Sequence, residues 1–157
     1  MEVLRNLTKE EAAIIVDTAS FLISNEFVYK ESSLSLQERL LLQELGLMLD
    51  DGSGLSYEWS VDSKSKAAFV IDDDCLFVIS NDSEEKIKYE INIYKLTTVG
   101  KEIYKLVSAD KEKRNSFYKT LARFFHEKGK VHISKHKIVK LNNNDSQVIY
   151  KQNGEDI

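Results

Sequence analysis

Proline is absent from this chain of 157 residues, where average usage would supply about 5%. Every turn must then rest on Gly, Asp, Asn or Ser, and no X-Pro bond can slow folding. Cysteine occurs once, at Cys75, which excludes an internal disulfide and any zinc cage built from cysteines. No apolar run approaches the ~18–20 residues of a membrane-spanning helix. The opening Met1-Glu2-Val3-Leu4-Arg5 has no basic stretch leading into an apolar one, so no signal peptide is read there. These absences predict a cytoplasmic protein with no membrane association.

What is present is a globular balance, 42% hydrophobic and 31% charged, which argues against disorder. The length suits one domain over residues 1–157, able to bury roughly 70% of its unfolded surface. The formal net charge is −4, against wholesale nucleic-acid binding, but the charge is unevenly spread. Residues 111–140 hold ten Lys/Arg and two acids, while the remainder holds twelve and twenty-four. A basic C-terminal region therefore follows an acidic body.

Thr8 with Glu11 forms a capping box, with Leu7 at the staple position. Ala12, Ile15, Val16, Ala19, Leu22 and Ile23 then fall at helical spacing, predicting a core helix widened by Ile14 and Phe21. Phe27-Val28-Tyr29 reads as a strand or extended link. A second box, Ser35 with Glu38, opens a helix that Gly46 is placed to end in a left-handed conformation. After the turn Asp50-Asp51-Gly52-Ser53-Gly54, the apolar runs 68–71 and 76–79 flank Asp72-Asp73-Asp74-Cys75 as a hairpin. Ile87, Tyr89, Ile91 and Ile93 alternate with polar residues, the mark of a strand buried on one face. A threonine-capped helix over 97–107 and a longer one over 110–128 follow. Residues 131–141 read as β, Asn142-Asn143-Asn144-Asp145 as a turn, and Val148-Ile149-Tyr150 as a returning strand. The final 152–157 are expected to fray.

Three phrases in this order resemble a known family. They are Met1-Glu2-Val3-Leu4-Arg5-Asn6-Leu7-Thr8-Lys9-Glu10-Glu11-Ala12, Leu42-Gln43-Glu44-Leu45-Gly46-Leu47-Met48, and Leu96-Thr97-Thr98-Val99-Gly100-Lys101-Glu102-Ile103. They are similar to the C-terminal region of the bacterial domain-of-unknown-function family 2806. The resemblance covers residues 1–107, and 108–157 match nothing in it. It implies that the chain is part of a longer bacterial protein. The family has no assigned activity, so the resemblance transfers no residue role.

Sites with recognisable chemistry are scarce. His132 and His136 have the H-x-x-x-H spacing of a helical metal pair, but Val131 and Ile133 alternate around His132 as in a strand. Four strand residues span about 13 Å, too far for one ion. Counted from Asp50 or Asp51, a calcium loop would have Val61 or Asp62 at position twelve, and from Asp51 it would have Ser56 where glycine is required; Asp72-Asp73-Asp74 reads as a solvated hairpin tip. Three aspartates beside Cys75 would raise its thiol pKa, so a structural cysteine is expected. Gly52-Ser53-Gly54 lacks the context of a phosphate loop. No metal, no cofactor and no catalytic set is expected.

The basic region supplies the one candidate surface. Lys119, Arg123 and His126 lie on the helix face opposite Phe117, Leu121 and Phe124, and Lys128, Lys130, Lys135, Lys137 and Lys140 extend the field. Such a surface either grips phosphates or is a solvated face that complements the acidic remainder or a second copy. Lys119, Arg123, Lys130, Lys135 and Lys137 are the candidate binding residues. The order helix, helix, hairpin, helix resembles a winged helix in the first two-thirds, but Glu38 and Glu44 on its would-be recognition helix would repel DNA. The expected fold is α+β, with about four helices around one small, mostly antiparallel sheet. The expected function is a non-catalytic interaction module with a protein partner or self-association, and nucleic-acid binding is the alternative.

Overall fold

The computed structural model describes residues 6–30, 34–49, 55–142 and 147–157. The turn 50–54, positions 143–145 of the last turn, and the first five residues of the family-like phrase lie outside them. In chain order the elements are α1 (Lys9–Ala19), β1 (Leu22–Ile23), β2 (Phe27–Tyr29), α2 (Leu36–Glu44), β3 (Leu55–Val61), β4 (Ser65–Val70) and β5 (Cys75–Asn81). They continue with β6 (Ile87–Lys95), α3 (Thr98–Tyr104), α4 (Lys111–Lys128), β7 (Val131–Asn142), β8 (Gln147–Tyr150) and β9 (Glu155–Asp156). Among the described residues, no helix is long and apolar enough to cross a membrane.

Both capping boxes form. The Thr8 hydroxyl accepts from Glu11 N–H at 3.2 Å and the Glu11 carboxylate accepts from Thr8 N–H at 2.7 Å; Ser35 and Glu38 repeat this with the same distances. Each box satisfies two N–H groups that a helix start leaves without partners. The first helix is shorter than its apolar stripe. It stops at Ser20, and Leu22–Ile23 instead pairs antiparallel with Phe27–Tyr29. Left-handed backbone at Ser24 and Asn25 turns the chain there, so the helical spacing of Leu22 and Ile23 was coincidental.

The chain forms two compact units, Met1–Tyr57 with Ile91–Phe117, and Glu58–Glu90 with Tyr118–Ile157. The division falls inside β3, β6 and α4, whose residues are described with the unit that holds them.

The first unit has an aliphatic core. Ile15, Leu22, Val28, Leu42, Leu47 and Met48 are buried there together with Tyr94, Leu96 and Ile103. Gly46 takes φ +69°, and Leu47 N–H and Met48 N–H both return to Leu42 C=O. Thr97 caps α3 through Gly100 N–H at 2.9 Å. A Cβ at Gly100 would lie 2.0 Å from Leu47 O, so only glycine lets α3 approach that backbone. Buried Arg114 donates to Ser20 O at 3.1 Å and Leu22 O at 2.7 Å, satisfying carbonyls where helix gives way to strand.

The second unit has an aromatic core. Trp59 stacks on Phe69 and Tyr89 at centroid distances of 5.1 and 4.6 Å, and Phe125 meets all three edge-on at 5.1–5.5 Å. Edge-to-face and offset-stacked geometry suits the ring quadrupoles. Phe77 joins this cluster through Phe125 and Tyr118. Burial pushes the Tyr89 phenol up to about 12, since little solvent reaches it to stabilise a phenolate.

The expectation of one small sheet is corrected. There are two antiparallel sheets, one ordered β1-β2-β6-β3 and one ordered β4-β5-β7-β8 with β9 also on β7. The winged-helix expectation is corrected with it. The β4–β5 hairpin shares a sheet with β7 from the last third of the chain, and β6, next in sequence, belongs to the other sheet. Three strands escaped the sequence reading. Leu55–Val61 was missed although Leu55, Tyr57, Trp59 and Val61 alternate with Ser56, Glu58 and Ser60; Leu22–Ile23 mimics a helix stripe; and Glu155–Asp156 is short and charged.

Candidate functional site

The candidate cations all belong to the second unit, where the structure separates them. Lys119 and Arg123 are exposed on α4, one turn apart, with Leu121, Ala122 and Phe125 buried on the other side. Phe124, read as part of the buried stripe, is only half-buried. Lys130 precedes β7, while Lys137 lies seven residues further on, roughly 23 Å along an extended strand. Among the described residues, Lys119, Arg123, Lys130 and Lys137 form no ion pair.

Lys135 is already engaged. Its ammonium lies 3.2 Å from the Glu155 carboxylate and 5.7 Å from the Tyr118 ring centroid, and the Tyr118 hydroxyl donates to Asp72 Oδ2 at 2.8 Å. Lys137 stands in register with Cys75, beside the acidic hairpin tip, whose Asp74 C=O accepts from Ile138 N–H at 2.8 Å. Within this unit, residues 118–157 carry eight Lys/Arg and four acids, and 58–90 carry four and nine. The basic run is thus folded into one unit with an acidic one. Phosphates approaching Lys135 or Lys137 would meet carboxylates as well.

The histidines do not make the metal pair that their spacing suggested. His132 and His136 remain on one strand. His132 Nε2 lies 3.2 Å from Asp156 Oδ1. His136 is buried, its Nδ1–H donating to Lys151 O at 2.7 Å and its Nε2 accepting from the Ser134 hydroxyl at 2.8 Å; these partners fix the tautomer. Among the described residues, no cluster of three or more His, Cys, Asp or Glu side chains is placed to hold a metal ion. Cys75 is buried in β5.

What the sequence did not show is where residues 151–157 go. They lie along the edge of β7 that faces away from β5. Lys151 N–H donates to Lys137 O at 2.9 Å and Ile157 N–H to Ile133 O at 3.1 Å; between them Glu155 and Asp156 pair with Lys135 and Ser134. The tail spends four residues from Lys151 to Glu155 where β7 spends two, so 152–154 bulge outward. Gly154 lies on the His136 ring, where a Cβ would come within 2.5 Å of Cε1 and Nε2. His126 Nε2–H donates to Ile157 O at 3.2 Å. All three histidines of the chain therefore touch this segment. The available signal was charge: Glu155-Asp156 is an acidic pair that follows a basic strand in sequence.

Two hollows border these residues. One, about 630 Å³, is lined by His126, Lys130, Val131, His132 and Ile133 with Asp82, Asp156 and Ile157. The other, about 500 Å³, is lined by Trp59, Tyr89 and Ser60 with Lys86, Lys88, Lys128, Glu58 and Glu90. The Trp59 indole already stacks on Phe69 and Tyr89, and Lys86 is held by Asp62 at 3.1 Å. The lysines and glutamates that line the second hollow give it no strong charge of one sign.

Compared with known proteins, the chain matches no family model, no curated protein and no solved structure.

Proposed function

We propose that this chain is a non-catalytic, cytoplasmic interaction module whose partner is a protein. One observation carries the reading: the basic strand β7 already grips carboxylates and a peptide backbone along the edge away from β5, through Lys135–Glu155, His132–Asp156 and the amides of Lys151 and Ile157. A surface that holds its own acidic segment in extended form has the chemistry to hold another chain's. The resemblance of residues 1–107 to a bacterial family without assigned activity is compatible with this role and adds no catalytic residue.

The test is capture of partners by the immobilised full chain beside a Lys135→Glu variant. The reading expects a protein retained by the wild type and lost by the variant. Turnover in a broad hydrolase screen with no retained protein would contradict it.

Nucleic-acid binding is the second reading, favoured by the exposed Lys119, Arg123 and Lys130, which carry no ion pair among the described residues. Binding of DNA and RNA titrated with salt discriminates, because neutralised phosphates give an affinity that falls steeply with salt. This reading expects that fall for the wild type and its loss in Lys119→Glu/Arg123→Glu. Absence of any salt-dependent affinity at low ionic strength eliminates it.

A further inference from the structure

The tail 151–157 is held mainly by exposed ion pairs and backbone bonds, with buried His136 its partner at Lys151 O. Only Glu155 and Asp156 pair in ladder register with β7, and a bulge separates them from β8. Residues 151–156 are exposed throughout. The side chains in their ion pairs are 79% exposed at Glu155 and 78% at Asp156, and such pairs hold weakly. Beneath the tail, the β7 edge is well formed. It offers Ile133 O and Lys137 O as acceptors, the Lys135 ammonium and the His132 ring as carboxylate partners, and the hollow beside Ile157 for an aliphatic side chain.

We propose that this edge of β7 is a strand-docking site for a partner's extended acidic segment, and that residues 151–157 occupy it as an exchangeable internal ligand. The proposal rests on the interaction-module reading and names the partner's chemistry. The tail itself is the template: a small residue over His136, two consecutive carboxylates for Lys135 and His132, then an aliphatic residue. A peptide fits better than a nucleic acid because Lys151 N–H and Ile157 N–H extend the β ladder, and a sugar-phosphate backbone has no N–H groups at that spacing. A longer segment without the bulge would pair continuously where the tail cannot, and so displace it.

Gly154 provides the means of release. His136 is buried with both ring nitrogens bonded, so it cannot easily yield to the Cβ that Gly154→Ala would press against it. The experiment uses the full chain as wild type, Gly154→Ala, and Gly154→Ala/Lys135→Glu. A fluorescent peptide with the sequence of residues 150–157 is titrated into each and read by anisotropy. The peptide should bind Gly154→Ala at least ten-fold more tightly than wild type, since its own tail no longer competes, and Lys135→Glu should abolish the gain. Should Gly154→Ala fail to fold, Glu155→Lys/Asp156→Lys releases the tail without steric pressure, with the same expectation.

Equal affinity for wild type and released variant, no binding to either, or indifference to Lys135→Glu would overturn the proposal. Displacement of bound peptide by a short single-stranded oligonucleotide would assign the edge to nucleic acid. A wild-type dimer in sedimentation, lost on Lys135→Glu, would assign it to a second copy. Either result overturns the partner named here. A failed peptide titration alongside a Lys135-dependent captured protein would sink this proposal and leave the interaction-module reading standing.

Discussion

Along one edge of β7, seven consecutive residues from Val131 to Lys137 stand opposite β5 without a break. Along the other, β8 pairs with a register shift between Ile138 and Lys140, and β9 adds two residues beyond a bulge. The chemistry differs as much as the geometry. The first edge is sealed by a strand whose Leu76, Phe77 and Ile79 are wholly buried. On the second, beyond β8, residues 151–156 are exposed and held by charge and backbone bonds. One strand thus faces the core's requirements on one side and an optional neighbour on the other. Burial of apolar area fixes the first contact; the exposed tail 151–156 has little apolar area to fix it.

The largest expected effect breaks the sealed side. Phe77→Ala removes a fully buried ring from the aromatic cluster and should cost about 3–5 kcal/mol, measured by chemical denaturation. A loss below about 1 kcal/mol would show that the cluster does not anchor β5.

The same core should respond to alkaline pH. The Tyr89 phenol, raised from 10.0 to about 12 by burial, contributes stability that is complete below pH ~10 and lost as pH climbs through ~12, worth at most about 3 kcal/mol. Tyr104, also raised by burial and only partly offset by Thr18, acts in the same direction. Tyr89→Phe keeps the ring and should flatten this alkaline limb. An unchanged limb would place the titration elsewhere.

Gly154→Ala tests the open side. Because the tail can lift instead of straining the core, the global loss should stay near the low end for overpacking, about 1 kcal/mol. Neutralising the tail with Glu155→Gln/Asp156→Asn should have the smallest effect, below about 1 kcal/mol and fading with salt. A loss as large as that of Phe77→Ala would erase the contrast between the edges.

Much of the local structure was legible in the sequence, because capping and alternation are local. Thr8 with Glu11, Ser35 with Glu38, and Thr97 mark helix starts that form, and Ile87, Tyr89, Ile91 and Ile93 are buried in β6 as their period-two spacing predicts. Sheet membership was not legible. Whether Cys75–Asn81 pairs with β6 or with β7 depends on contacts between distant residues, and every one of its residues but Ser80 is buried, so alternation gives no face. The candidate surface was half legible. Lys119 and Arg123 are exposed as helical spacing requires, but Lys135 looks like an available cation until Glu155, twenty positions away, is seen against it. Gly154 gave no sign of its role, since the need for glycine there comes from His136.

Amide hydrogen exchange on the wild-type chain tests the asymmetry of β7 most directly. Amides in the β5–β7 ladder should exchange only with global unfolding, while those of Lys151 and Ile157 should exchange far faster through local release of the tail. Equal protection on both edges would contradict an exchangeable segment and leave β9 as a fixed part of the fold.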